Sequence, residues 1–297
     1  MYKRLLLPAI AIACTFAAQS SEGQTIAANA QKAAVPQKAK ADSLLYKTWV
    51  DSAYNALGRK QPAQTEYFLK KAIEILPHNS ANGLIYDNLG RIQRELGRNE
   101  DALESFTKAI ALFPTALRFL KDRAALLLSM NRFRPAIDDY SKVLSINPKD
   151  TQALLYRAYI YSGQRQYDAA RRDYNALLTV EPSNYEGLLG LAVLNQKEGR
   201  LNEAIQQISN MISIVPDKAE LYAMRAQMEE EKGQVDAAIL DMTEAIRHDA
   251  GNREYHIHRA MLYIKSKEKV KAEKDLDEAV KLGTPRAELR ALYKKCR

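Results

Sequence analysis

The sequence predicts an all-α fold, a solenoid of repeated helix-turn-helix units, and three aligned columns of residues predict it. Prolines recur every 34 residues from Pro114 to Pro216, and the same phase continues at Ala250 and Thr284. Alanine stands twelve residues before each of these markers, and a small residue, Gly or Ala, stands twenty-four before it. A bulky residue stands eight before each marker, beginning with Phe106. Three columns in one phase indicate a structural repeat.

Each column has a physical purpose in a pair of packed helices. Small residues let two helices approach closely, the bulky residue fills the groove between them, and proline ends the second helix. The apolar residues of a unit fall at helical spacing, as Ala170, Tyr174 and Leu177 do. A residue suited to a left-handed turn stands between the helices in four units: Gly97, Asn131, Gly199 and Gly233. Asn99 and Asn202 are expected to cap second helices.

This pattern resembles the tetratricopeptide repeat (TPR) family, whose 34-residue helix-turn-helix units stack side by side. The resemblance spans residues 43–286 as about seven units: 46–79, 83–116, 117–150, 151–184, 185–218, 219–252 and 253–286. It implies that the first helices of successive units line a concave surface. It also implies the general type of function, which is binding other proteins.

The C-terminus is expected to close the last unit. Thr284 and Pro285 precede a segment, 287–297, that predicts a short capping helix. Leu289, Leu292 and Tyr293 are available to cover the apolar residues of the last repeat.

Two further positions vary together. Four repeats carry Arg one residue before the small residue of the first helix, at Arg123, Arg157, Arg225 and Arg259. The same four carry Asp sixteen residues later, at Asp139, Asp173, Asp241 and Asp275. The two full repeats with Leu at the first position, Leu89 and Leu191, carry Ser105 and Gln207 instead. We therefore predict an Arg–Asp pair between the two helices of each such repeat, with a structural purpose.

The first eighteen residues have the order of a secretory signal. Lys3 and Arg4 precede an apolar run that is short for a membrane span, and small and polar residues follow it. Cleavage near Ala17 or Ala18 predicts an exported, periplasmic protein. Residues 19–42 are rich in Ala, Gln and Lys, which is typical of a flexible tether.

Cys14 leaves a second route open. Ala11 to Cys14 is similar to a bacterial lipobox, in which the cysteine carries lipid and would attach the chain to the outer membrane. The position three before the cysteine is usually Leu and is Ala here, and the apolar run continues past Cys14. Apart from such an anchor, no membrane partner is predicted. After ordinary cleavage Cys296 is the only cysteine, and it cannot form an internal disulfide.

The residue types of an active site do not occur together. His256 and His258 are two apart on a helix, so they cannot share a metal ion as residues four apart can. His256 stands in a packing column. We expect no cofactor, no metal and no catalysis. The net charge of +8 is not gathered in one basic block, so nucleic acid is not an expected partner.

A partner is expected on one stripe of the first helices, 30, 27, 23 and 20 residues before each marker. We call this stripe the first-helix face. It carries a basic zone (Arg91, Arg94, Arg118 and Lys121, interrupted by Asp87), an apolar floor (Leu155, Tyr159, Leu189 and Val193) and an acidic zone (Glu186, Glu220 and Glu230). These zones would suit an extended peptide or a helix. The alternative is that Leu155 and Leu189 only pack neighbouring helices and that the charges only solvate the surface.

The sequence thus predicts an exported, non-catalytic scaffold that binds a protein or peptide partner. An envelope secretion or outer-membrane assembly complex is the setting that the family resemblance implies. The alternative is an exported binding protein for a non-protein envelope ligand, such as a glycan or a peptidoglycan fragment. Neither the partner's identity nor the oligomeric state follows from the sequence.

Overall fold

The computed structural model describes residues 37–296, and this part of the chain is helical, with fifteen α-helices and no β-strand. The predicted all-α class, the helix-turn-helix repeats and the short C-terminal helix are confirmed. The signal segment 1–18, Cys14 and residues 19–36 lie outside the described residues. In the described range no helix has the length and apolar character needed to cross a membrane. The chain divides into two compact units, one ending at Pro148 and the other beginning at Lys149.

The described part of the first unit contains six helices that pair in sequence. They are α1 (Gln37–Gly58) with α2 (Pro62–Ile75), α3 (Asn82–Glu95) with α4 (Asn99–Leu112), and α5 (Leu117–Ser129) with α6 (Phe133–Ile146).

The second unit contains four helix pairs and a final single helix. The pairs are α7 (Thr151–Gly163) with α8 (Tyr167–Val180), α9 (Tyr185–Lys197) with α10 (Leu201–Ile214), α11 (Ala219–Glu231) with α12 (Val235–His248), and α13 (Arg253–Lys265) with α14 (Lys269–Lys281). The final helix is α15 (Arg290–Cys296).

The columns seen in the sequence form the core of each unit. Ala102 and Ala136 in the first unit are fully buried, and so are their counterparts in the second unit. The bulky column is buried beside them at Phe106, Tyr140, Tyr174, Ile208, Met242 and Leu276. A Cβ atom added to Gly90 would lie 2.9 Å from the ring of Phe106. Close helix approach therefore requires the small residue at this position.

Every helix pair turns through a residue with positive φ. The four predicted positions are confirmed, with φ between 57° and 83° at Gly97, Asn131, Gly199 and Gly233. Lys60, Arg165 and Lys267 adopt the same conformation in the other three pairs, with φ of 57° to 63°. Composition did not predict these three, because a left-handed conformation costs a non-glycine residue about 1 kcal/mol and is rare.

All four predicted Arg–Asp pairs form, and all are bidentate. Nε and Nη2 of each arginine donate to the two carboxylate oxygens of its aspartate, at 2.6 to 2.8 Å. The aspartates are buried, so each pair ties the two helices of its repeat at a fixed register. Where Leu replaces Arg, another polar pair lies nearby: Ser105 donates to Gln93 at 2.7 Å, and Asn195 donates to Gln207 at 2.8 Å.

Three sequence expectations need correction. Residues 37–42 belong to α1 and are not part of a flexible tether, since the good helix formers Ala, Lys and Leu run on into the first repeat. The final helix begins at Arg290 and not at residue 287, because residues 286–289 form turns. Asn99 and Asn202 are not caps: Arg98 and Arg200 hold the N-cap positions and make no side-chain cap bond.

Candidate functional site

The first-helix face of the first unit carries the predicted basic zone. Arg94, on α3, is exposed. Arg91 on α3 and Arg118 and Lys121 on α5 are half-buried. The face is therefore basic, but only part of this charge points into solvent.

Two ion pairs between α3 and α5 engage two of the four residues of the basic zone. Nη2 of Arg118 lies 2.7 Å from Oδ2 of Asp87, and Nε of Arg91 lies 4.0 Å from Oδ2 of Asp122. Asp87 is fully buried. Its burial raises its pKa to about 7, although the neighbouring Arg118 opposes that rise. The residue that interrupts the basic zone in the sequence is thus buried between two first helices and faces Arg118.

The predicted apolar floor lies on the first-helix face of the second unit. Tyr159, on α7, is 61% exposed. Leu155, Leu189 and Val193 are half-buried. Leu155 packs against the core cluster that includes Tyr174. Leu189 packs against the neighbouring cluster, which includes Ile208. Much of the surface of each leucine side chain is therefore buried inside the unit, and Tyr159 offers most of the accessible apolar surface of the apolar floor.

The predicted acidic zone divides into two parts. Glu186 and Glu220, in the first turns of α9 and α11, are exposed. Together with burial, Glu220 and Glu186 raise the pKa of the nearby Tyr185 hydroxyl. These two carboxylates accordingly create a negative potential at the surface.

Glu230 has a different environment from the other two. Nε2 of His258 lies 2.7 Å from its Oε2, and Lys265 contacts its other oxygen. Burial opposes ionisation of Glu230, but the hydrogen bonds from Lys265 and His258 outweigh it and hold the pKa below its ordinary value. Glu230 therefore joins α11 to α13, and its role in the structure is internal.

Sequence reasoning missed one member of the acidic zone. Glu254, in the first turn of α13, is exposed and holds the same repeat position as Glu186 and Glu220. The 34-residue spacing from Glu186 to Glu220 to Glu254 was the signal that could have found it. Ile257 and Ile264, also on α13, pack against the core cluster that includes Leu289 and Tyr293.

Three family models match the chain, and each describes a tetratricopeptide repeat. They match residues 83–116, which span α3 and α4, residues 140–172, and residues 161–228, which cover α8, α9, α10 and most of α11. The chain is a tetratricopeptide repeat protein. No curated protein sequence matches this TPR protein.

Solved structures share the fold of this TPR protein. One is a tetratricopeptide repeat protein from Parabacteroides merdae, with 26% identity, a TM-score of 0.66, and coverage of 85% of this chain and 99% of that one. Another is pilF of Pseudomonas aeruginosa, with 17% identity, a TM-score of 0.56, and coverage of 74% and 99%. A third is a chain of the APC/C hetero-tetramer Cut9–Hcn1, with 15% identity, a TM-score of 0.54, and coverage of 88% and 57%.

Proposed function

We propose that this TPR protein is an exported, non-catalytic scaffold that binds a protein or peptide partner on its first-helix face. The observation that carries this proposal is the exposed ring of Tyr159, which stands beside half-buried aliphatic side chains in a fold built of repeated helix pairs. Aromatic residues that combine a large apolar surface with a polar tip are the usual anchors of protein interfaces. The hetero-tetramer Cut9–Hcn1 supports the proposal in general, because it places a chain of this fold in a multi-protein assembly.

Export is supported by the sequence of residues 1–18, a charged start followed by a short apolar run. A periplasmic location, and membership of an envelope secretion or outer-membrane assembly complex, belong to the same proposal. Lipid on Cys14, as an outer-membrane anchor, is the alternative form of it.

Affinity capture of crosslinked envelope proteins tests the proposal, with two variants that remove equally accessible apolar groups. Tyr159→Ala removes the ring from the first-helix face. Leu240→Ala removes a side chain that is 69% exposed on α12, a second helix. These positions are better than Leu155 and Leu189, whose packing in the core makes a charged replacement there a folding defect.

We expect Tyr159→Ala to lose captured proteins severalfold, while Leu240→Ala keeps them at the wild-type amount. Circular dichroism should show equal helix content in both variants. If both variants capture the wild-type set, the first-helix face is not the binding surface and the proposal is wrong.

A second candidate, binding of a glycan or a peptidoglycan fragment, is favoured by the same ring, since a sugar can stack on an exposed aromatic side chain. It predicts that purified peptidoglycan fragments bind the wild-type protein and not Tyr159→Ala, and that no protein depends on Tyr159 for capture.

A further inference from the structure

Three glutamates stand at one repeat position in the second unit. Glu186, Glu220 and Glu254 are 34 residues apart, and each lies in the first turn of a first helix, α9, α11 and α13. All three are exposed. We call them the acidic column.

The acidic column has little internal neutralisation. Among the described residues, no cation lies within 4.0 Å of Glu186 or Glu220, and Glu254 has only the exposed Arg253 at 3.5 Å, next to it in the chain. Glu198, a carboxylate of the same unit, differs from the column because it lies 2.5 Å from Arg171 and 3.0 Å from Arg200. The column therefore presents negative charge that the fold does not use for ion pairing.

Half-buried tyrosines flank the column. Burial and then Glu220 raise the pKa of both Tyr185 and Tyr255, so the carboxylate of Glu220 acts on both phenol groups. Carboxylates beside aromatic rings attract a cationic side chain in two ways, through the opposite charge and through the face of the ring.

The apolar floor lies on the same helical face, further along each helix. Leu189 and Val193 follow Glu186 on α9 by three and seven residues, a spacing that returns to one side of a helix. Seven residues correspond to about 10 Å along the helix axis. The first-helix face of the second unit thus offers an acidic edge and an apolar strip that begins at Leu189 and reaches Val193 about 10 Å along α9 from Glu186. The exposed Tyr159 on α7 holds the same repeat position as Val193.

We infer that the partner segment bound by this face is basic and extended, with Lys or Arg side chains on the acidic column and an apolar side chain against Tyr159. The inference rests on the proposed function and adds the chemistry of the partner. Charge complementarity supports it, because Glu186 and Glu220 have no cation within 4.0 Å in the described part of the chain and a basic partner would supply one. The arrangement also sets the orientation of the bound segment, since the acidic column lies on one side of the apolar strip.

A matched pair of triple variants separates partner binding by the acidic column from stabilisation of the helices by the same carboxylates. Carboxylates in the first turn stabilise a helix through its dipole whether or not they bind anything. E186Q/E220Q/E254Q neutralises the acidic column. D168N/E203Q/D236N neutralises three other exposed first-turn carboxylates of the same unit, on the second helices α8, α10 and α12. Both variants lose three charges and three dipole interactions, but only one changes the first-helix face.

The probes are two labelled nonapeptides, Lys-Gly-Lys-Leu-Tyr-Leu-Lys-Gly-Lys and its counterpart with Glu in place of Lys, measured by fluorescence anisotropy. We expect wild type to bind the Lys peptide about tenfold more tightly than the Glu peptide, with the difference shrinking as salt rises. The acidic-column variant should lose about that factor, and the control variant should keep it. Equal binding of the two peptides, failure of wild type to bind the Lys peptide, or equal loss in both triple variants would each overturn the inference.

The capture experiment distinguishes this inference from the proposed function. If Tyr159→Ala loses the envelope partners while E186Q/E220Q/E254Q captures them at wild-type amounts, the scaffold function stands and the basic partner is wrong. If neither variant loses a partner, both are wrong.

Discussion

Asp87 is a buried carboxylate within the basic zone, and its ionisation affects the stability of the fold. A carboxylate with no exposed area is held between two helices, with its charge facing Arg118 at 2.7 Å. Burial raises its pKa to about 7, so the folded protein holds this proton more tightly than the unfolded chain does. The stability that Asp87 contributes is therefore fully present below its ordinary pKa near 4 and is lost as pH rises through about 7.

Replacing Asp87 by Asn should remove this pH dependence. We expect Asp87→Asn to be more stable than wild type at pH about 8, by ~1–3 kcal/mol, because the buried charge is gone and the half-exposed Arg118 regains solvent. The gain should vanish at pH about 4. Denaturant unfolding at both pH values measures it, and Asp138→Asn, which neutralises an exposed carboxylate of the same unit, is the control. The same pH slope in wild type and Asp87→Asn would contradict the assignment.

The Arg–Asp pairs predict a different result, because removing one partner leaves the other charge buried. Asp241→Ala should lower the free energy of unfolding by ~2–4 kcal/mol. Another repeat of the chain suggests a compensating change, since the repeat with Leu191 has a hydrogen bond between Asn195 and Gln207. These three residues hold the repeat positions of Arg225, Glu229 and Asp241. The triple variant R225L/E229N/D241Q should recover most of the loss. If it is as unstable as Asp241→Ala, the two polar pairs are not equivalent.

These two cases show where sequence reasoning succeeds at the residue scale. The Arg–Asp pairs were predictable because two columns vary together through several repeats at a constant spacing of sixteen. Asp87 occurs once, and its partner Arg118 lies on another repeat. No repeated column in the sequence predicts such a contact, and the burial of Asp87 depends on how α3 packs against α5. The predicted basic zone therefore contained ion pairs that only the structure shows.

At the scale of elements, α15 acts as the cover of the last repeat. Leu289 and Tyr293 are buried against Ala272, Leu276 and Ala279 of α14. The hydroxyl of Tyr293 donates to Asp277 at 2.6 Å. Without this helix the stacking side of the last pair would meet water, an arrangement that terminal repeats avoid.

Deleting residues 285–297 should therefore loosen the end of the second unit selectively. We expect amide hydrogen exchange in α13 and α14 to accelerate, while amides of α9 and α10 keep their protection. Burial of the two lost side chains corresponds to ~3–6 kcal/mol of local stability. Y293F, which keeps the ring and loses the bond to Asp277, should have a much smaller effect. Uniform loss of protection across the unit would show that α15 supports more than the last repeat.

Helix boundaries followed the repeat phase closely wherever the columns exist. Outside the columns they did not: α1 already includes residues 37–42, and α15 begins at Arg290, because neither end has a second copy to set its phase. Turns were predicted from Gly and Asn, yet Lys60, Arg165 and Lys267 make the same turn. Packing of the helix pair sets the conformation of those three residues and overrides their local preference.

At the scale of the whole molecule, the proposed export would decide which partners the chain can meet. We expect the chain in the periplasmic fraction, with a mature N-terminus near residue 19 in the mass of the purified protein, because the apolar run of the signal continues past Cys14. Cys14→Ser should then change neither the mass of the mature chain nor its fraction. A mature chain that begins at Cys14 with added lipid, and that moves to the soluble fraction in Cys14→Ser, would show that the chain is a lipid-anchored protein and is not processed by ordinary cleavage. A chain that keeps residues 1–18 and stays in the cytoplasm would contradict export.

We propose that a partner protein lies on the first-helix face of the second unit, and photocrosslinking at single residues gives a direct test. A benzophenone amino acid in place of Tyr159 reports on that face, and the same group in place of Leu240 reports on an equally exposed second helix. We expect a defined crosslinked protein from position 159, with a basic segment at the crosslinked site, and none from position 240. The same products from both positions, or a product from position 240 alone, would contradict it.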